Sequence, residues 1–130
     1  QQLAQRLGAI VVLKGAGTVV TDGQRVWTNT IDHPCLATAG TGDVLTGIIA
    51  SLIAQFCPTP QQMLFKTKVP QMPAPTGRPL DLFDASRLGV ALHGLAAQRW
   101  SHRHAADSGL LAGELADELP ALVCAVRGGV

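Results

Sequence analysis

Between Ala37 and Gly47 the chain reads ATAGTGDVLTG, and beyond Asp43 the apolar residues Val44, Leu45, Ile48, Ile49, Leu52, Ile53 and Phe56 recur at helical spacing. A glycine-rich loop running straight into an amphipathic helix restricts the fold strongly. The wide apolar face must be covered by a second layer, and the helix opens with backbone N–H groups that lack intrahelical partners. Such an end, reinforced by the helix dipole, is an anion site against which a phosphate could lie at Gly40 to Gly42. Asp43 then needs its own explanation. One reading makes it a first-turn carboxylate interacting with the dipole. The other places it beside a transferring phosphoryl group, where it accepts the proton of an attacking hydroxyl. The stretch lacks the GK[ST] ending of a Walker A loop and the third glycine of a dinucleotide fingerprint, so neither of those sites is indicated.

The elements around this stretch suit a layered α/β protein. QQLAQRLGA reads as the last turns of a helix stopped by Gly8, so the chain is expected to open inside a helix and to be the later part of a larger domain. AIVVLKG predicts a strand buried on both faces that delivers Lys14 to a sheet edge. TVVTDGQRVWTN predicts an antiparallel hairpin from Thr18 to Asn29 about Asp22 and Gly23. Gly47, inside the following helix, costs about 1 kcal/mol of helix propensity relative to alanine, which predicts close packing against a neighbour. Six prolines between Pro58 and Pro79 predict a surface excursion without regular period. DLFDASRLGVALHGLAAQRW is a helix with Leu88, Leu92, Leu95 and Ala96 on one stripe, and DSGLLAGELADELPALV is another capped by Asp107 or Ser108.

Ten basic against nine acidic side chains leave a net charge of +1, which gives no reason to expect a nucleic-acid partner. No apolar stretch approaches the roughly 20 residues that cross a bilayer, so no membrane partner is expected. Cys35, Cys57 and Cys124 are widely spaced and show no CxxC, which predicts buried small hydrophobes in a reducing, cytoplasmic compartment. His33, His93, His102 and His104 do not form a metal constellation by spacing. His93 is expected to pack or hydrogen-bond within its helix, His102 and His104 to sit in a solvated link, and His33 is a candidate because it adjoins the glycine motif.

Gly40, Thr41, Gly42 and Asp43 with the following VLTG resemble the catalytic signature of the ribokinase-like superfamily. The longer arrangement, LKGAGTVV followed by ATAGTGDVLTGIIASLIAQ and then by LGVALHGLAAQ at Leu88 to Gln98, resembles the ADP/ATP-dependent NAD(P)H-hydrate dehydratase family. The resemblance implies a three-layer α/β ribokinase-like fold, with residues 1–130 as its C-terminal half. It implies that Lys14, Gly15, Ala16, Gly17 and Thr18 touch the nucleotide together with Gly42, and that Asp43 contacts the hydrated nicotinamide ring and serves as base; the anion-site reading adds Gly40 and Thr41 to the nucleotide contacts, and adjacency to the motif makes His33 a candidate substrate contact. ADP or ATP as co-substrate, Mg²⁺ carried largely on phosphates, hydrated NADH or NADPH as substrate, a homo-oligomer, and a fused or partner epimerase are implied in the same way. Asn29 matches a position that is often polar in the family and receives no role. HPCLATAG departs from the more glycine- and asparagine-rich stretch of relatives, and the proline-rich link is longer than usual. A vitamin-precursor kinase of the same superfamily and an inactive nucleotide-binding scaffold stay open as alternatives.

Overall fold

The computed structural model describes residues 1–57 and 79–126. The proline-rich excursion expected at 58–79 lies, all but its last residue, outside them. Helix α1 (Gln2–Leu7) ends at Gly8 in the left-handed conformation. Strands β1 (Val11–Leu13), β2 (Val19–Thr21) and β3 (Val26–Thr28) form an antiparallel meander in the order β1-β2-β3, with Val12 opposite Val20 and Val20 opposite Trp27. The β2–β3 turn is made by Asp22, whose Oδ1 accepts from the N–H groups of Gln24 (2.9 Å) and Arg25 (2.6 Å). Those bonds and the Arg25 guanidinium hold the pKa of the half-buried Asp22 carboxyl down at about 2.

A short 3₁₀ turn at Pro34–Leu36 leads into α2 (Thr41–Phe56), followed by α3 (Leu82–His104), α4 (Ala112–Asp117) and α5 (Leu119–Val126). The α2–α3 pair carries apolar residues on two sides. Leu45, Phe83 and Val90 meet Val20 and the sheet. Ile48, Leu52, Leu92, Ala96 and Trp100 meet Leu110 of the preceding link and Leu115 and Leu122 of the C-terminal helices. The helix pair is thus a middle layer between the sheet and α4–α5, and the sheet side carries the loop ends that form the site.

Several expectations need correction. The β1 run is not buried on both faces: Val11 and Val12 are half-buried and Leu13 is 69% exposed, because among the described residues the helices cover only the opposite face of the sheet. Among the described residues Gly47 has no close neighbour: a Cβ there would meet no atom of another element within 4 Å. The close approaches fall in α3, where a Cβ on Gly94 would lie 1.9 Å from the Ile31 carbonyl oxygen and one on Gly89 2.6 Å from Ile49 Cγ1. The C-terminal helix is not capped by Asp107 or Ser108. It starts after Leu111, whose N–H donates to Glu114 Oε2 (2.9 Å), and it breaks at Glu118 because Pro120 has no N–H for the carbonyl of Ala116. His102 and His104 belong to the last turn of α3, with His104 stacked on Trp100 at 4.6 Å. Of the cysteines only Cys35 is buried; Cys124 is exposed.

Candidate functional site

The turn after β1 is closed by its own polar groups. Thr18 Oγ1 donates to the Gly15 carbonyl (2.9 Å) and accepts from the Gly15 N–H (3.3 Å), so KGAGT forms a compact loop. The Gly17 N–H donates to Asp32 Oδ2, and the Asn29 N–H donates to the Thr18 carbonyl (2.8 Å). The loop is therefore anchored from the far side of the hairpin by Asn29 and Asp32, which sequence reasoning left without a role or did not single out. Among the described residues Lys14 makes neither an ion pair nor a hydrogen bond, which leaves its ammonium available.

The helix entry is held by different means. Gly40 caps α2 with φ 86°, a conformation that L-residues avoid, and a Cβ there would come within 3.0 Å of Ala112 Cβ. Thr41 is fully buried, its hydroxyl shared between the carbonyls of Leu36 and Thr38 (both 2.9 Å). The N–H groups of Asp43 and Val44 both turn back to the Gly40 carbonyl (3.1 and 3.2 Å), whereas that of Gly42 has no partner among the described residues. His93 Nε2 lies 2.8 Å from the Thr41 carbonyl and must carry the proton, since a carbonyl only accepts. Burial pushes the His93 pKa below the usual 6.5, the Thr41 bond opposes that shift, and nearby Lys14 adds to it. The imidazole is a neutral fastener between α3 and the entry of α2.

The two motifs meet along one side chain. A Cβ on Gly42 would touch Lys14 Cδ at 3.7 Å and Cε at 3.9 Å, so the lysine stem passes over the bare backbone of the first helical turn. Lys14, the free Gly42 N–H and the exposed Asp43 carboxylate therefore share the mouth of α2. The Asp43 carboxylate makes no hydrogen bond or ion pair among the described residues. Beside this mouth lies a cavity of about 400 Å³ walled by Lys14, Gly15, Ala16 and Thr18 on one side, Asn29, Asp32 and His33 on another, and by Pro34, Leu36, Ala37, Val90 and His93. Gly17, Gly40, Thr41, Gly42 and Asp43 are not in its wall. His33 is, but its Nδ1 caps the 3₁₀ turn through the Cys35 N–H (3.4 Å). A larger, shallower depression of about 870 Å³ around Gln98, Ser101 and Asp107 contains none of the glycine motif and has no comparable donor set.

Among the described residues no group of three or more His, Cys, Asp or Glu could hold a metal ion, and no helix is long and apolar enough to cross a membrane. One free carboxylate at an anion site suits Mg²⁺ that arrives on phosphate and keeps its waters, not a metal caged by protein.

Comparison with known proteins identifies the fold and the family. The chain superposes on ADP/ATP-dependent NAD(P)H-hydrate dehydratase from Bacillus subtilis, crystallised with ATP/Mg²⁺, with a TM-score of 0.70 and 30% identity over 94% of this chain and 36% of that one. It matches a ribokinase-like superfamily protein from Enterococcus faecalis with a TM-score of 0.64 and 28% identity, over 94% of this chain and 34% of the other. The fold is thus ribokinase-like, and the described elements are part of it. The sequence profile of the NAD(P)H-hydrate dehydratase family matches residues 1–121, and the chain belongs to that family. It is 41% identical over 123 residues to the bifunctional NAD(P)H-hydrate repair enzyme of Vibrio cholerae, covering 95% of this chain and 20% of that protein. It is 38% identical over 110 residues to the ADP-dependent (S)-NAD(P)H-hydrate dehydratase of Neisseria meningitidis, covering 84% of this chain and 29% of that protein. The chain thus spans well under half the length of these relatives.

Proposed function

We propose that the protein to which these residues belong dehydrates (S)-NADHX and (S)-NADPHX to NADH and NADPH at the expense of ADP or ATP. The observation that carries this reading is the passage of the Lys14 stem over Gly42, which joins the KGAGT loop to the helix entry and sets Asp43 beside both. Lys14 and the Gly42 N–H hold the phosphates, with the backbone of Gly15, Ala16, Gly17, Thr18, Gly40 and Thr41 shaping the approach. The Thr41 hydroxyl is already committed to two carbonyls, so its part is through the main chain. Asp43 takes the proton of the ring hydroxyl as that oxygen attacks the terminal phosphoryl group, whose bond to the bridging oxygen breaks and releases AMP from ADP or ADP from ATP. Phosphate then leaves with the ring oxygen, and loss of a proton from the neighbouring ring carbon restores the double bond. Mg²⁺, when bound on the phosphates near Asp43, neutralises charge there. His33, in the cavity wall, is a substrate contact in this reading.

Residues 1–130 are in this proposal the C-terminal portion of a larger dehydratase domain, whose remaining length supplies the rest of the substrate face. A cytoplasmic setting, a homo-oligomer and an epimerase in the same chain or as a partner belong to the same proposal. The last is supported by the word bifunctional in the name of the Vibrio relative.

The test is to give the full-length protein hydrated NADH or NADPH with Mg²⁺ and ADP or ATP, and to follow the return of dihydronicotinamide absorbance. Turnover is expected. No turnover by a folded protein that binds nucleotide overturns the dehydratase reading in favour of a vitamin-precursor kinase or an inactive scaffold.

A further inference from the structure

Asn29 is 4% exposed and stands in the wall of the cavity beside Lys14. Its Nδ2 donates to the Ile31 carbonyl (2.9 Å) and to Asp32 Oδ1 (3.3 Å). Both partners are oxygens that only accept, which fixes the amide: the reverse orientation would set its oxygen against two others. Its Oδ1 is buried and has no partner among the described residues. A buried carbonyl oxygen left unpaired is costly, and native interiors almost always satisfy such a group. The neighbouring Asp32 carboxylate does not satisfy it, because both of its oxygens are acceptors, of Gly17 N–H and of Asn29 Nδ2, and Oδ1 needs a donor.

We propose that Asn29 is a specificity residue of the nucleotide site, its Oδ1 accepting a hydrogen bond from a neutral N–H or O–H donor on the bound nucleotide; this rests on the nucleotide reading given above. The cavity is chemically polarised. A phosphate oxygen facing Oδ1 would be repelled, whereas Lys14 and the Gly42 N–H attract it. The phosphates therefore lie at the helix mouth, and a donor-bearing part of the sugar or base comes to Asn29. Because the Asn29 N–H is bonded to the Thr18 carbonyl (2.8 Å), the acceptor is carried by the same loop that holds the phosphates. Two sources offer the required donor: the exocyclic amine of the base and the ribose hydroxyls.

The experiment is calorimetry on the full-length protein with ADP, purine riboside 5′-diphosphate, 2′-deoxy-ADP and 3′-deoxy-ADP, for wild type and Asn29→Ala. One donor-deleted nucleotide is expected to bind wild type roughly 10-fold more weakly than ADP, as for an unpaired buried acceptor. That analogue names the source. Asn29→Ala should bind ADP as weakly as wild type binds the analogue, and should no longer distinguish the two. Equal binding of all four nucleotides by wild type overturns the assignment, and so does a variant that weakens all four by one common factor, which is the mark of a purely structural role. Asn29→Ser serves the same comparison if the alanine variant does not fold. ADP binding with no discrimination among analogues defeats the Asn29 proposal alone, whereas absence of ADP binding by wild type defeats the nucleotide reading and this proposal with it.

Discussion

The KGAGT loop and the GTGD helix entry are both glycine-rich turns at the edge of one site, yet they are secured in opposite ways. The first is tied by a few polar side chains, the buried Thr18 and Asn29 and the exposed Asp32. The second is packed into the interior, with Thr41 fully buried, Gly40 against Ala112 and His93 fastened to the Thr41 carbonyl. A loop tied through an exposed carboxylate can lose that tie and still fold. A helix entry packed into the core transmits every change to stability. Within that rigid entry the Asp43 side chain is the exception, because it is exposed and its carboxylate makes no bond to the fold among the described residues.

The largest expected effect tests that exception. Asp43→Asn should lower turnover by about 10²- to 10⁴-fold, as for loss of a general base. Its stability should change by at most about 1 kcal/mol, since asparagine is also favourable near a helix start. Steady-state kinetics beside chemical denaturation decide it; undiminished turnover would refute the role of Asp43.

Next comes the packing beneath the site. Gly94→Ala drives a Cβ into the Ile31 carbonyl, a backbone atom that cannot swing aside, and should cost about 3 kcal/mol or more. Gly89→Ala meets Ile49 Cγ1 at 2.6 Å, in a side chain whose χ1 rotation can relieve only part of the clash, and should cost less, about 1–2 kcal/mol. Denaturation midpoints of the two variants compare them directly, and equal costs would mean that the Ile31 segment yields.

The polar loop gives a smaller effect of another kind. Asp32→Ala frees the Gly17 N–H and Asn29 Nδ2, and should weaken nucleotide binding roughly 10-fold while moving stability by no more than about 1 kcal/mol. Calorimetry and denaturation on one preparation separate the two quantities. A stability loss that matched or exceeded the affinity loss would erase the contrast between the regions.

His93 adds a pH dependence to the rigid entry. Its folded pKa lies below 6.5, so the unfolded chain takes up a proton where the folded chain does not. The stability this contributes is fully present above 6.5 and is lost as pH falls below it, with a slope of at most about 1.4 kcal/mol per pH unit. Replacing His93 by glutamine should flatten the slope of stability between about pH 7.5 and pH 5.5, and an unchanged slope would assign it to other groups.

What the sequence made legible was local. Asp22 and Gly23 place the hairpin because their turn chemistry involves only near neighbours, and Gly8 stops α1 for the same reason. The GTGD entry was found because glycine, helical period and carboxylate lie within a few residues. The rest depended on distant partners. Asp32 acquires its role only when the chain brings Gly17 beside it, and Asn29 gains meaning from an oxygen left over after folding. Gly47 was misread because helical periodicity says which residues share a face but not what meets that face; the crowding fell on Gly89 and Gly94 instead. The break at Glu118 was missed because the apolar spacing continues across Pro120, and only the bonds of Arg99 (2.8 Å) and Arg103 (2.6 Å) to the buried Glu118 show how tightly that corner is held.

The placement of the two tryptophans makes the molecule a two-channel optical instrument. Trp100 is buried in the core shared with the C-terminal helices, whereas Trp27 lies half-buried on β3, two residues before Asn29. Emission from Trp100 follows the core shared with the C-terminal helices, and emission from Trp27 follows the sheet side, where it packs on the cluster of Val20, Leu45, Phe83 and Val90. Single-tryptophan variants, with phenylalanine at the other position, would let the loosening of the two sides of the helix pair be read separately in one cuvette without any added label.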